Sequence, residues 1–131
     1  MACILVVEDS PAQMLLAKKA LESAGHSVLR AKDGVSAIAC ARHDLPDLIL
    51  MDLCMPLMNG FEATKTLKAD PQTKDIPVIA ISVDMSSLNQ SALTELGCFD
   101  FLSKPYDINE LVAHVERALL SSIIADRTPC R

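Results

Sequence analysis

Five short apolar runs punctuate the chain, and a segment of helical periodicity follows each one. The runs are "CILVVED" (3–9), "HSVLRA" (26–31), "LILMD" (48–52), "IPVIAIS" (76–82) and "FDFLS" (99–103). After the first, Met14, Leu15, Ala17, Leu21 and Ala24 recur at helical spacing. Ser10 suits the cap of that helix, Pro11 its first turn and Gly25 its end. The same reasoning predicts a short helix within 33–44 and helices over 60–70, 86–97 and 107–122, with Asp107 capping the last. Strands that alternate with helices build a parallel sheet covered on both faces.

The first, third and fourth runs are almost continuously apolar, as central parallel strands must be, whereas the second is short, more polar and belongs at an edge. Right-handed crossovers leave few topologies. The order 2-1-3-4-5 fits best: an α/β, flavodoxin-like (βα)5 three-layer sandwich with its crevice at the C-terminal ends of the first and third strands. The expected domain is 1–122, and "IIADRTPCR" (123–131) reads as a helix end and loose tail.

Composition narrows the function classes. Only four of 131 residues are Phe or Tyr and none is Trp, so the core is aliphatic. The net charge of −5, without a basic stripe, argues against direct nucleic-acid binding. No apolar run reaches transmembrane length and no signal peptide is visible, so we expect a cytoplasmic protein without membrane insertion. The five cysteines (Cys3, Cys40, Cys54, Cys98, Cys130) form no CxxC pair and read as small buried hydrophobes in a reducing compartment. His26, His43 and His114 form no HExxH-type pair and read as surface or helix residues.

Chemistry gathers where the strands end. The first run ends in Glu8 and Asp9, the third in Asp52 and the fourth in Ser82, and the fifth leads into Lys104 and Pro105. In the predicted order they converge on one edge of the sheet. Three adjacent carboxylates repel one another and need a cation or a proton. A small hard cation such as Mg²⁺ suits carboxylate, carbonyl and water oxygens and leaves positions for phosphate. Lys104 adds a second positive charge and Ser82 a hydrogen-bond donor. This set serves phosphoryl transfer onto a carboxylate, with Asp52 the nucleophile.

The stretches "ILVVEDS", "DLILMDLCMPLMNG", "IPVIAIS" and "DFLSKPY", with the "AKDG" turn, resemble the CheY-like receiver domains of two-component response regulators. The resemblance covers roughly residues 2–121. It implies that Asp52 is the phosphoacceptor, assisted by Lys104 and Ser82. It implies a site for Mg²⁺ (or Mn²⁺) made by Glu8, Asp9, Asp52 and the main-chain carbonyl of Cys54. Ser82 and Phe101 match the switch hydroxyl and switch aromatic, and a cis peptide is implied at Lys104–Pro105. The implied partners are a sensor histidine kinase or phosphotransfer protein and a downstream target. That target reads a face built by helix 86–97, strand 99–103 and helix 107–122. The chain is then a monomer or a phosphorylation-dependent dimer, and a signalling domain that catalyses only its own phosphorylation and dephosphorylation. The leading expectation is a stand-alone relay; an excised piece of a longer protein is the alternative.

Some positions depart from the family pattern. Val83 stands where Ala or Gly is usual, and Cys54 and Asp84 occupy the positions that tune dephosphorylation. Asn59-Gly60 replaces a common Asp-Gly without consequence for the turn. A haloacid-dehalogenase-type phosphatase also uses an Asp nucleophile but needs an acid two residues later, where Cys54 stands. The first loop, "EDSPAQ", has no phosphate-binding glycine motif. A receiver-like module that never accepts phosphate would not need the full set of Glu8, Asp9, Asp52, Ser82 and Lys104. Bulk at Val83 and the residues at Cys54 and Asp84 predict a phosphoryl lifetime unlike that of the fastest receivers; a measured half-life of seconds would contradict this.

Overall fold

In the computed structural model, residues 2–53, 60–82, 97–104 and 106–126 are described. Five parallel strands, β1 (Cys3–Val7), β2 (Ser27–Ala31), β3 (Leu48–Asp52), β4 (Val78–Ser82) and β5 (Asp100–Ser103), form one sheet in the order 2-1-3-4-5. The flavodoxin-like expectation holds. The helices are α1 (Pro11–Ser23), α2 (Gly34–Asp44), α3 (Gly60–Ala69) and a C-terminal helix, Ile108–Asp126. The helix expected over 86–97, the Lys104–Pro105 peptide and residues 127–131 lie outside the described residues.

The near-continuous apolar strands supply two cores. Leu5, Val7, Ile49, Met51, Val78 and Ala80 pack on Ala37, Ile38 and Ala41 of α2 and on Ala63 and Leu67 of α3. The alternate residues Ile4, Val6, Leu48, Leu50, Ile79 and Ile81 face the other way. They meet Met14, Ala17 and Leu21 of α1 and Leu111, Val115 and Ala118 of the C-terminal helix. A side-chain period of two thus feeds both layers. Each fully buried Leu or Ile contributes about 1.5–3 kcal/mol relative to exposure. By contrast β2 pairs only with β1, and three of its five residues are half-buried or more.

Local signals start the helices where expected, and Gly25 closes α1. Ser10 Oγ accepts a hydrogen bond from Gln13 N at 3.4 Å, and Asp33 Oδ1 accepts one from Ser36 N at 2.7 Å. Asp107 Oδ1 accepts from Glu110 N at 2.7 Å while Glu110 reaches back to Asp107 N, a reciprocal cap. Gly25 takes φ +94° just past α1, a value that glycine adopts without strain. The C-terminal helix runs to Asp126, through the first four residues of the segment read as a helix end and loose tail.

One reading of the histidines needs correction. His26 is not a surface residue, its side chain being only 7% exposed. The Ala2 amide donates to Nδ1 at 3.2 Å, so the ring proton sits on Nε2, which faces Glu116 Oε1 at 3.0 Å. His43 is exposed, and His114 is half-buried against Asp100 at 2.6 Å. Cys98 is buried, whereas Cys3 and Cys40 are only half-buried.

Gly60 opens α3 against the main chain of Asp52. A Cβ at this position would overlap the Asp52 carbonyl and crowd the Leu53 Cα. The sequence read Gly60 only as half of a tolerant turn; its stronger role is close approach. Gly60→Ala gains helix propensity of up to about 1 kcal/mol, but overpacking against backbone costs about 1–3 kcal/mol. We expect net destabilisation, read as a lower urea midpoint with an unchanged slope. A midpoint equal to or above wild type would contradict the packing.

Candidate functional site

The ladder extends beyond the strand ends and fixes the residues that follow them. Glu8 N donates to Ala31 O at 3.0 Å, Leu53 N to Ile81 O at 2.9 Å and Lys104 N to Ser82 O at 2.8 Å. Strand pairing therefore sets the main chain around Glu8, Asp52, Ser82 and Lys104 before any side-chain interaction. β1 itself ends at Val7, two residues earlier than the sequence suggested, because the chain must turn into α1 at Pro11.

Glu8, Asp9 and Asp52 come together, each offering a carboxylate oxygen within 4.8 Å of the others. Glu8 and Asp52 are 7% and 4% exposed, whereas Asp9 is open to solvent. Lys104 reaches in from the end of β5. Its Nζ donates to Glu8 Oε1 at 2.8 Å and to Asp52 Oδ2 at 3.1 Å. The Ser10 amide donates to the other Glu8 oxygen at 3.2 Å. Ser82 is 2% exposed at the end of β4. In the register Asp52 lies opposite Ile81, which places Ser82 one step further along the neighbouring strand.

Burial pushes the Glu8 carboxyl above its ordinary range, and Asp52 pushes the same way; the Lys104 and Ser10 hydrogen bonds oppose the rise. Burial alone would lower the Lys104 ammonium. Its hydrogen bonds and charge interactions with Glu8 and Asp52 outweigh that and raise it. Tyr106, half-buried two residues on, has its phenol pushed up, chiefly by burial. Three carboxylates against one ammonium leave a net negative cluster of hard oxygen donors, which suits a divalent cation.

The structure thus brings Glu8, Asp9, Asp52 and Lys104 into one cluster, with Ser82 on the adjoining strand end. Phe101 is not in it. It is half-buried and packs on the core beneath α2 and α3. Cys54, Asn59, Val83 and Asp84 lie outside the described residues. The sequence reading missed the Ser10 amide and Tyr106. Ser10 had been assigned only as a helix cap, and Tyr106 stands unremarked at the end of "DFLSKPY".

The family model for the response regulator receiver domain matches residues 4–116. The chain belongs to the receiver domains of two-component response regulators. It is 40% identical over 119 residues to protein PilH of Pseudomonas aeruginosa, covering 91% of this chain and 98% of PilH. The chemotaxis response regulator CheY4 of Vibrio cholerae superposes with a TM-score of 0.85 at 31% identity, covering 91% of this chain and 99% of that one. The receiver domain of the sensor histidine kinase PA1611 from P. aeruginosa has a magnesium ion coordinated in its active-site cleft. It superposes with a TM-score of 0.83 at 30% identity, over 90% of this chain and 97% of that domain. Receiver domains pair with histidine kinases or phosphotransfer proteins and with downstream targets. Among the described residues no helix is long and apolar enough to cross a membrane.

Removing the ammonium should expose the cost of the receiver's buried acids. Lys104→Gln leaves two buried carboxylates without their cation, a loss of about 3 kcal/mol at pH 7 by analogy with broken buried pairs. Because the folded Glu8 pKa lies above its ordinary 4.5, its contribution is full below pH 4.5 and is lost as pH rises through the raised value. The penalty of Lys104→Gln should therefore shrink towards pH 4.5. Urea titrations of both proteins at the two pH values, with chelator present, check this; a penalty that grows on acidification would contradict it.

Proposed function

We propose that Asp52 accepts a phosphoryl group from the phosphohistidine of a sensor histidine kinase or phosphotransfer protein. The observation that carries the reading is a buried carboxylate at a strand end, 3.1 Å from the Lys104 ammonium and beside two further acids. The Asp52 carboxylate attacks phosphorus as the P–N bond breaks, and the electron pair returns to the imidazole. Lys104 orients the acceptor and neutralises charge that develops on the phosphoryl oxygens. Glu8, Asp9 and Asp52 would hold Mg²⁺ or Mn²⁺, with the Cys54 carbonyl as a further ligand. When bound, this ion would supply further positive charge to the phosphoryl oxygens. The magnesium in the PA1611 receiver supports that assignment.

Ser82, at the end of β4, would donate a hydrogen bond to the transferred group. Phe101 would follow Ser82 by changing its burial, so that the surface of segment 86–97, β5 and the C-terminal helix presents a different face to a downstream protein. The output is docking, as a monomer or a phosphorylation-dependent dimer, and the only catalysis is of the domain's own phosphorylation and dephosphorylation. A histidine kinase presents its phosphohistidine in the cytoplasm, which is where this reading places the protein.

Incubation with Mg²⁺ and acetyl phosphate, followed by intact-mass measurement, tests the reading. Wild type should gain the mass of one phosphoryl group, while Asp52→Asn and chelator-treated wild type should gain none. Mg²⁺ alone should raise the melting temperature of wild type, since a ligand bound only by the folded state stabilises it. No adduct on wild type, or an undiminished adduct on Asp52→Asn, would overturn the proposal.

A further inference from the structure

Beside the acidic cluster, on its β2 side, lies an open groove of about 370 Å³. Glu8 is shared with the cluster, Pro11 and Met14 of α1 contribute apolar lining, and Arg30 and Lys32 contribute positive charge. The two cations straddle Ala31, whose carbonyl accepts the Glu8 amide at 3.0 Å, so strand pairing holds both beside the site. Neither makes an ion pair among the described residues. The Lys32 charge acts on the neighbouring Asp33 carboxyl, and both Glu8 oxygens are hydrogen-bonded elsewhere, to Lys104 and to the Ser10 amide. A solvated surface would carry such charges at little cost. Here, however, they stand at the rim of a net negative cluster that a phosphate donor, itself an anion, must approach.

Resting on Asp52 as the acceptor, we propose that this groove is a leaving-group subsite for small acyl phosphates. Asp52 attacks phosphorus, the bond from phosphorus to the donor's carboxyl oxygen breaks, and the electron pair leaves on that oxygen as a carboxylate. Arg30 and Lys32 receive the new negative charge, for which a guanidinium offers paired donors. Pro11 and Met14 receive the short acyl chain. A phosphohistidine or phosphoramidate releases a neutral nitrogen base, so its leaving group places no new charge on these cations. The groove thus gives this receiver a donor preference additional to its protein partner.

The test compares two small donors on one protein. Phosphorylation rates with acetyl phosphate and with phosphoramidate, both subsaturating and with Mg²⁺, are measured for wild type and for Arg30→Gln/Lys32→Gln. The acetyl phosphate rate should fall about tenfold, the equivalent of one charge-assisted hydrogen bond, while the phosphoramidate rate stays within about twofold. Arg30→Lys/Lys32→Arg should retain the acetyl phosphate rate, and urea midpoints establish that all variants fold. An equal fall with both donors that vanishes at high salt would mean general electrostatic steering and overturn the subsite. An unchanged acetyl phosphate rate in the Gln variant would overturn it as well. Wild type that takes phosphate from neither donor would instead overturn the acceptor role of Asp52, and the subsite with it.

Discussion

The contact between the Lys104 ammonium and two buried carboxylates, Glu8 and Asp52, is what the rest of the structure depends on. Burying an unpaired carboxylate costs several kcal/mol, a large fraction of the stability of an ordinary domain. Lys104 offsets part of that cost for two acids at once. It does not offset all of it: three acids face one base, and the Glu8 carboxyl is displaced above its usual range by burial first and by Asp52 as well. A cluster left short of positive charge in this way favours a divalent cation, in keeping with the receiver family to which the chain belongs.

The sheet makes that contact repeatable. Glu8 and Lys104 follow β1 and β5, Asp52 ends β3, and main-chain hydrogen bonds one step past the strands hold the three in place. Rigid strands below and short connections above are the usual design of a site at the carboxyl edge of a parallel sheet. Gly60 serves the same end from the other side, since only a residue without Cβ lets α3 begin against the Asp52 carbonyl. Packing, strand register and site chemistry thus meet at one residue, the proposed acceptor.

Much of this was legible in the sequence. Strand order followed from which apolar runs were continuous and which was polar. The clustering of Glu8, Asp9, Asp52 and Lys104 followed from that order, because strand ends in one parallel sheet share an edge. The pairing of Lys104 with Glu8, 96 residues apart, could be located only to that edge, since its geometry depends on side-chain reach. The Gly60 contact was hidden because it involves backbone alone. His26 was misread because nothing local marks a ring that the Ala2 amide and Glu116 will enclose. The apolar residues that open the last segment, Ile123 and Ile124, carry the C-terminal helix on to Asp126, in line with its reading as a helix end.

The central claim is that the carboxylate beside Lys104 is where phosphate becomes attached. The most direct measurement traps it chemically: the phosphorylated receiver is reduced with borohydride, which converts an aspartyl phosphate to homoserine, and the product is digested and sequenced by tandem mass spectrometry. The account predicts homoserine at position 52 and an unmodified Glu8 and Asp9. Reduction at position 8 or 9, or a phosphoryl adduct that yields no homoserine at 52, would contradict it.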